Sequence, residues 1–119
     1  MLWEIIFHAE FYKWFFEQEG AVQESIAMVL DILEEQGAHL GRPYVDTIKG
    51  SSLPNMKELR VQHAGEPYRI LFAFDSKRQA VLLVGGNKAG DKRWYDKNIP
   101  IAERRFRDYL EETQGGELV

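Results

Sequence analysis

Apolar residues change their period along this chain, and the changes mark out its elements. Trp3 to Phe7 is a short apolar run that suits a buried strand. From Glu10 the spacing becomes helical: Phe11, Trp14 and Phe15 share one side, and Gly20 closes a short helix. A second helix is clearer. Val22, Ile26, Val29, Leu30 and Leu33 make one stripe, Gln23, Glu24, Asp31 and Glu34 lie opposite, and Gly37 supplies a stop. Residues 38–56 read as an irregular connection, with Gly41, Pro43, Gly50, Pro54 and Asn55 as turn formers.

Three strand-like segments follow. In Lys57–Gln62, Leu59 and Val61 alternate with Glu58, Arg60 and Gln62. After a turn at Ala64-Gly65-Glu66-Pro67, Tyr68–Phe74 is apolar on nearly both faces, as a central strand would be, with Arg69 the exception. Asp75–Gln79 makes the next turn and Ala80–Val84 the third strand. Such short connections favour an antiparallel meander. A last helix is expected from about Pro100, a good first-turn residue, carrying Ile101, Arg105, Phe106, Tyr109 and Leu110 along one side. The order β-α-α-β-β-β-α predicts an α+β domain with a helical hairpin packed on one sheet.

Composition narrows the class. The 119 residues, 45% of them hydrophobic, suit one domain with a real core, spanning about 1–113, and 114–119 (Gln-Gly-Gly-Glu-Leu-Val) reads as a frayed tail. The chain contains no cysteine, which excludes disulfides, cysteine-based metal centres and thiol nucleophiles. The start lacks the marks of a secretory signal and no stretch approaches membrane-spanning length, so a soluble cytoplasmic protein is expected.

Charge changes the picture more. Residues 1–40 hold Lys13 against eight carboxylates, a net −7, whereas 41–110 hold fourteen basic and eight acidic residues, a net +6. The overall −4 therefore hides a polarised molecule. If the cations share one face, that face is an anion site, and RNA is the natural polyanion to consider. Scattered, solvated charges are the plainer alternative.

Motifs exclude as much as they suggest. Gly85-Gly86-Asn87-Lys88-Ala89-Gly90-Asp91-Lys92 resembles a phosphate-cradling loop but has Asp91 where Lys then Ser or Thr is required. His8, His39 and His63 show no ligand spacing, so no metal is expected. The four serines sit in no nucleophile-elbow context. What remains is a basic set tied to the strands: Arg60, Arg69, Lys88, Lys92 and Arg93, with Trp94 and Tyr95 suited either to the core or to stacking on a base. Arg69 stands out, since an apolar strand rarely carries a guanidinium without a partner.

Five pieces in order carry a family resemblance: Leu40-Gly41-Arg42-Pro43-Tyr44-Val45-Asp46-Thr47-Ile48-Lys49-Gly50, Lys57-Glu58-Leu59-Arg60-Val61, Tyr68-Arg69-Ile70-Leu71-Phe72, Gly86-Asn87-Lys88-Ala89-Gly90-Asp91-Lys92-Arg93-Trp94-Tyr95 and Ile99-Pro100-Ile101-Ala102-Glu103. From about Trp3 to Leu110 the chain resembles the HigB-type branch of the RelE/ParE toxin superfamily, which includes phage-derived host-inhibition proteins. The resemblance implies a RelE/ParE-like fold, an antiparallel sheet with the hairpin on one face and a C-terminal helix. It also implies a bacterial type II toxin, held by a helix-turn-helix (HigA-like) antitoxin, that cleaves mRNA, commonly on the ribosome, with no cofactor.

The implied reaction is attack of the RNA 2′-hydroxyl on the adjacent phosphate, giving a 2′,3′-cyclic phosphate and a 5′-hydroxyl. Carried onto matching positions, Arg60 and Arg69 would hold the phosphate, and Lys88 or Lys92 would supply charge and proton transfer. Tyr95 would orient or deprotonate the 2′-hydroxyl, and crowded positive charge could lower the pKa values of such groups. Lys57, His63, Arg93 and Trp94 are second-rank RNA contacts. Two positions depart from RelE-type members: their Lys-x-Lys reads Glu58-Leu59-Arg60 here, and an arginine after the third-strand lysine is Ala89. A ParE-like gyrase inhibitor without nuclease chemistry, or a non-catalytic antitoxin-binding module, are the alternatives that share the fold.

Overall fold

The computed structural model describes residues 2–114; of the expected tail 114–119, all but Gln114, which ends the last helix, lies outside them. The elements are β1 (Glu4–Phe7), α1 (Ala9–Glu17), α2 (Gly20–Gln36), β2 (Val45–Thr47), β3 (Met56–His63), β4 (Glu66–Phe74), β5 (Gln79–Asn87) and α3 (Trp94–Gln114), with one 3-10 turn at Gly37–His39. The strands form one sheet in the order β1-β5-β4-β3-β2. β3, β4 and β5 run antiparallel, as the short turns require, while β1 pairs in parallel with β5. The α+β class holds, and the sheet is mixed rather than wholly antiparallel.

The period-2 alternation decides what each face buries. Leu59 and Val61 of β3, Ile70 and Phe72 of β4, and Ala80 and Leu82 of β5 meet Phe11 and Phe15 of α1 and the α2 stripe Val22, Ile26, Val29, Leu30 and Leu33. The intervening residues Met56, Leu71, Ala73, Val81 and Leu83 meet Trp94, Ala102, Phe106 and Leu110 of α3. Each large aliphatic or phenylalanine side chain among them contributes roughly 1.5–3 kcal/mol when withdrawn from water, so the two layers together drive folding. The hairpin's outward carboxylates, among them Glu10, Glu17, Glu24 and Asp31, are exposed, as their spacing opposite the stripe predicts.

Two differences from the sequence expectation shape the site. Val45–Thr47, inside the region read as irregular, pairs antiparallel with Leu59, Glu58 and Lys57 as the edge strand β2. A three-residue strand between turn formers carries no detectable alternation. α3 begins at Trp94, not near Pro100, which lies inside the helix. Asp91 Oδ1 accepts from the Arg93 N–H at 3.0 Å and its carbonyl from the Trp94 N–H at 3.3 Å, which starts the first turn. Burial of Trp94 at 5% exposure then holds that turn to the sheet, and packing outweighs the proline rule.

The failed phosphate-loop glycines have a different task. A Cβ on Gly85 would run into the Trp14 ring on the hairpin side, and one on Gly86 would meet the Trp94 indole on the α3 side. Adjacent glycines thus let a tryptophan approach each face of β5 at the end of the sheet where the polar residues gather.

Candidate functional site

Register places the site. Arg60 of β3 lies opposite Arg69 of β4, and Arg69 lies opposite Gly86 of β5. Alternation puts both arginines, and Glu58 two residues from Arg60, on the α3 face just beyond the apolar patch of Met56 and Leu71. The early start of α3 brings Tyr95 over them. Had the helix begun at Pro100, Tyr95 would not be carried on its first turn.

The Glu58 carboxylate is the hub. The Tyr95 hydroxyl donates to Oε1 at 2.5 Å, Arg60 Nη1 donates to Oε2 at 3.2 Å, and Arg69 Nε lies 3.6 Å from Oε1. Glu58 is 6% exposed and Arg69 4%. Arg69 Nη1 donates to the Tyr68 carbonyl at 2.9 Å, but its buried Nε has no hydrogen-bond acceptor among the described residues. Two guanidiniums around one carboxylate leave a net positive site, one that attracts an anion. Lys88 adds a further cation, its Nζ 6.0 Å from the centre of the Tyr95 ring.

Burial pushes the Tyr95 pKa above the ordinary tyrosine value, helped by its hydrogen bond to Glu58 and the charge there, with Arg69 opposing. Tyr95 is therefore a neutral hydroxyl donor near neutral pH. The sequence expectation is that crowded positive charge lowers such a pKa; here burial, and then Glu58, outweighs the opposing Arg69.

A cleft of about 310 Å³ opens beside the hub, lined by Asp46, Thr47, Ile48, Lys49, Glu58 and Tyr95. Its size suits a small ligand or one nucleotide unit. A second recess, about 280 Å³, continues past Tyr95 along α3 between Lys49 and Glu103. Glu103 ties down the loop between β2 and β3 by accepting from the Ser51 and Ser52 hydroxyls and the Ser52 N–H. The cleft's outer wall is thereby anchored to the helix that carries Tyr95.

The other sequence candidates scatter. Lys92 and Arg93 are exposed in the turn before α3. Trp94 is buried under Gly86, so its ring supports the site from within rather than offering a face for stacking. Lys57 alternates to the hairpin face and reaches Thr47 Oγ1 at 3.2 Å. His63 also lies on that face, with its Nδ1 2.7 Å from Ser25 Oγ of α2. Sequence reasoning did not count Glu58 among the functional residues, although its spacing from Arg60 and its departure from Lys-x-Lys were both visible. Among the described residues no group of three or more His, Cys, Asp or Glu is placed to hold a metal, and no helix is long and apolar enough to cross a membrane.

The chain is similar to several known proteins. A family model described as phage-derived protein Gp49-like matches residues 13–107. A Mycobacterium tuberculosis protein described as "Putative toxin HigB3" is 51% identical over 105 residues, 87% of this chain and 90% of its own length. A second from the same organism, "Putative toxin HigB2", is 48% identical over 89 residues, 73% of this chain and 44% of its own length. Among solved structures, a double arginine-to-alanine mutant of the Escherichia coli toxin RelE in the free state superposes with a TM-score of 0.64 at 13% identity, over 88% of this chain and 98% of that one.

Proposed function

The chain belongs to the Gp49-like family and is a HigB-like toxin of the RelE superfamily, and from that premise we propose that it is an endoribonuclease directed at mRNA. One observation carries the reading: Arg60 and Arg69 face each other across β3 and β4 with Tyr95 and Lys88 at the same end of the sheet. Cleavage of RNA through its 2′-hydroxyl needs cations on the charge that develops at phosphorus and a positioned donor and acceptor for two protons. Arg60 and Arg69 hold the phosphate. The neutral Tyr95 hydroxyl orients the ribose, which favours the orienting over the deprotonating role. Lys88 supplies charge and a proton to the leaving 5′-oxygen. None of these roles calls for a metal.

The same reading makes translating mRNA in the cytoplasm the substrate and a helix-turn-helix antitoxin of the HigA type the partner that restrains the protein. The test is direct. Purified protein is incubated with a translated message and with free RNA, and the product ends are mapped. New 5′-hydroxyl and 2′,3′-cyclic phosphate ends, absent with Arg60→Ala, support the reading. Intact RNA together with trapped gyrase–DNA complexes would replace it with the gyrase-directed alternative.

A further inference from the structure

Glu58 stands at the centre of the site, and phosphate binding alone gives no reason for a carboxylate there. It occupies the donors that a phosphate would need: Tyr95 and Arg60 donate to its two oxygens, and Arg69 Nε lies 3.6 Å away. Burying such a set is a poor way to stabilise a sheet end, because apolar side chains of similar volume serve as well or better. Access points the same way. Of the hub's members, Glu58 and Tyr95 line the cleft beside Asp46 and Lys49, and neither arginine does. A ribose seated in the cleft is therefore next to the carboxylate.

We propose that Glu58 is the proton acceptor for the 2′-hydroxyl, held by Arg60 and Arg69 until the scissile phosphate draws those arginines to itself. The inference rests on the ribonuclease reading and deepens it. A carboxylate that loses two guanidiniums and gains a phosphate neighbour becomes a stronger proton acceptor, so substrate binding itself arms the base. The step balances. The 2′-O–H proton passes to Glu58 as the 2′-oxygen bonds to phosphorus, the P–O5′ bond breaks, and the leaving 5′-oxygen takes a proton from Lys88. The products are a cyclic phosphate and a 5′-hydroxyl, with no oxidant and no water consumed.

Glu58→Gln keeps the shape but removes the acceptor. The experiment compares it with the wild type on a short RNA cut at one site, and on the same oligonucleotide carrying a 2′-deoxy sugar at that site, which binds but cannot react. Cleavage by Glu58→Gln is expected to fall at least about a hundredfold. Its affinity for the unreactive oligonucleotide should be equal to or tighter than that of the wild type, since the arginines no longer have a carboxylate to leave. Cleavage within about threefold of the wild type, or binding lost in step with cleavage, would overturn the proposal, the second result reducing Glu58 to a residue that positions arginines. Should Glu58→Gln fail to fold, Glu58→Asp keeps the charge but withdraws it by one methylene. Its cleavage should then drop at least tenfold with binding retained, and an unchanged rate overturns the proposal. A wild type that leaves both RNAs intact removes the ribonuclease reading itself, a result distinct from an active wild type and an equally active Glu58→Gln.

Discussion

Toward α1 and α2 the sheet presents Leu59, Val61, Ile70, Phe72, Ala80 and Leu82, with the polar pairs Ser25–His63 and Lys57–Thr47 at the rim. Toward α3 the same strands present Met56, Leu71, Ala73, Val81 and Leu83 over one half and Glu58, Arg60 and Arg69 over the other. β3 shows the contrast within a few residues, giving Leu59 and Val61 to one face and Glu58 and Arg60 to the other. A strand's two-residue period lets one segment build a core and a charged site at once, provided one helix stops short of the charged half. α3 does so by placing its first turn at the boundary, with Trp94 on the core side and Tyr95 on the site side. Stability and chemistry are thus separable by face, and mutation can test that separation.

The largest expected effect falls on the closed face. Phe11 is fully buried, in edge-on contact with Phe7 and packed against Trp14 and Phe15. Phe11→Ala should cost about 3–5 kcal/mol of folding free energy, read from denaturant unfolding. Cleavage per folded molecule should be unchanged. If it collapses with stability, the faces are not independent.

On the open face, Arg69→Ala should slow cleavage about a hundred- to a thousandfold, the loss of one preorganised contact worth roughly 2.7–4 kcal/mol in the transition state. The sequence leaves two roles open for Arg69, a contact to phosphate or a sheet-holding pair with Glu58 or Asp75, and the structure shows it buried against Glu58. Breaking a buried pair costs about 3–5 kcal/mol when the remaining charge is left alone, and less here since Arg60 and Tyr95 stay in place. Melting should therefore fall together with cleavage. Arg60→Ala, at a less buried position than Arg69, is the cleaner probe: cleavage should drop with a smaller change in melting.

Adjacent glycines give the sharpest comparison. Gly85→Ala pushes a methyl at Trp14 on the hairpin side, and Gly86→Ala pushes one at Trp94 on the site side. Both should destabilise by about 1–3 kcal/mol through overpacking. Only Gly86→Ala shifts the turn that carries Tyr95, so only it should lower cleavage per folded molecule. Equal losses of activity would erase the distinction between the faces.

How legible these faces were in the sequence depends on length and locality. The α2 stripe and the apolar run of β4 were plain because each repeats its period several times within one element. β2 was not, since three residues cannot display a period. Nor was the parallel pairing of β1 with β5, a contact between residues more than seventy positions apart that no local pattern encodes. That neighbouring strands bring Arg60 and Arg69 within reach was readable, but their direct pairing was not: the turn read at Ala64-Gly65-Glu66-Pro67 closes at Ala64-Gly65, and that tighter turn sets the register. Glu58 was visible as a departure from a lysine pattern, but its meaning depended on Tyr95, and Tyr95's position depended on a helix start that local rules set six residues too late. Tryptophan burial at residue 94, a tertiary effect, decided both.

The smallest expected effect concerns Tyr95 and alkaline pH. Its pKa is raised in the fold, chiefly by burial and then by Glu58, so the folded state binds the phenolic proton more tightly than the unfolded chain does. Stability from this group is fully present below the unfolded value, about 10, and is lost as pH rises through the higher folded value. Denaturation midpoints of the wild type and Tyr95→Phe, compared between pH 8 and pH 11, should converge toward the alkaline end, because only the wild type has this proton to lose. Ultraviolet titration of the five tyrosines should show one ionising later in the wild type than in the unfolded chain, and that late component should be absent from Tyr95→Phe. A gap between the two proteins that widens with pH would mean the Tyr95 hydroxyl is easier to ionise in the fold than out of it. The arginines, not the carboxylate, would then set the character of the site, and Tyr95 rather than Glu58 would be the group suited to take the proton.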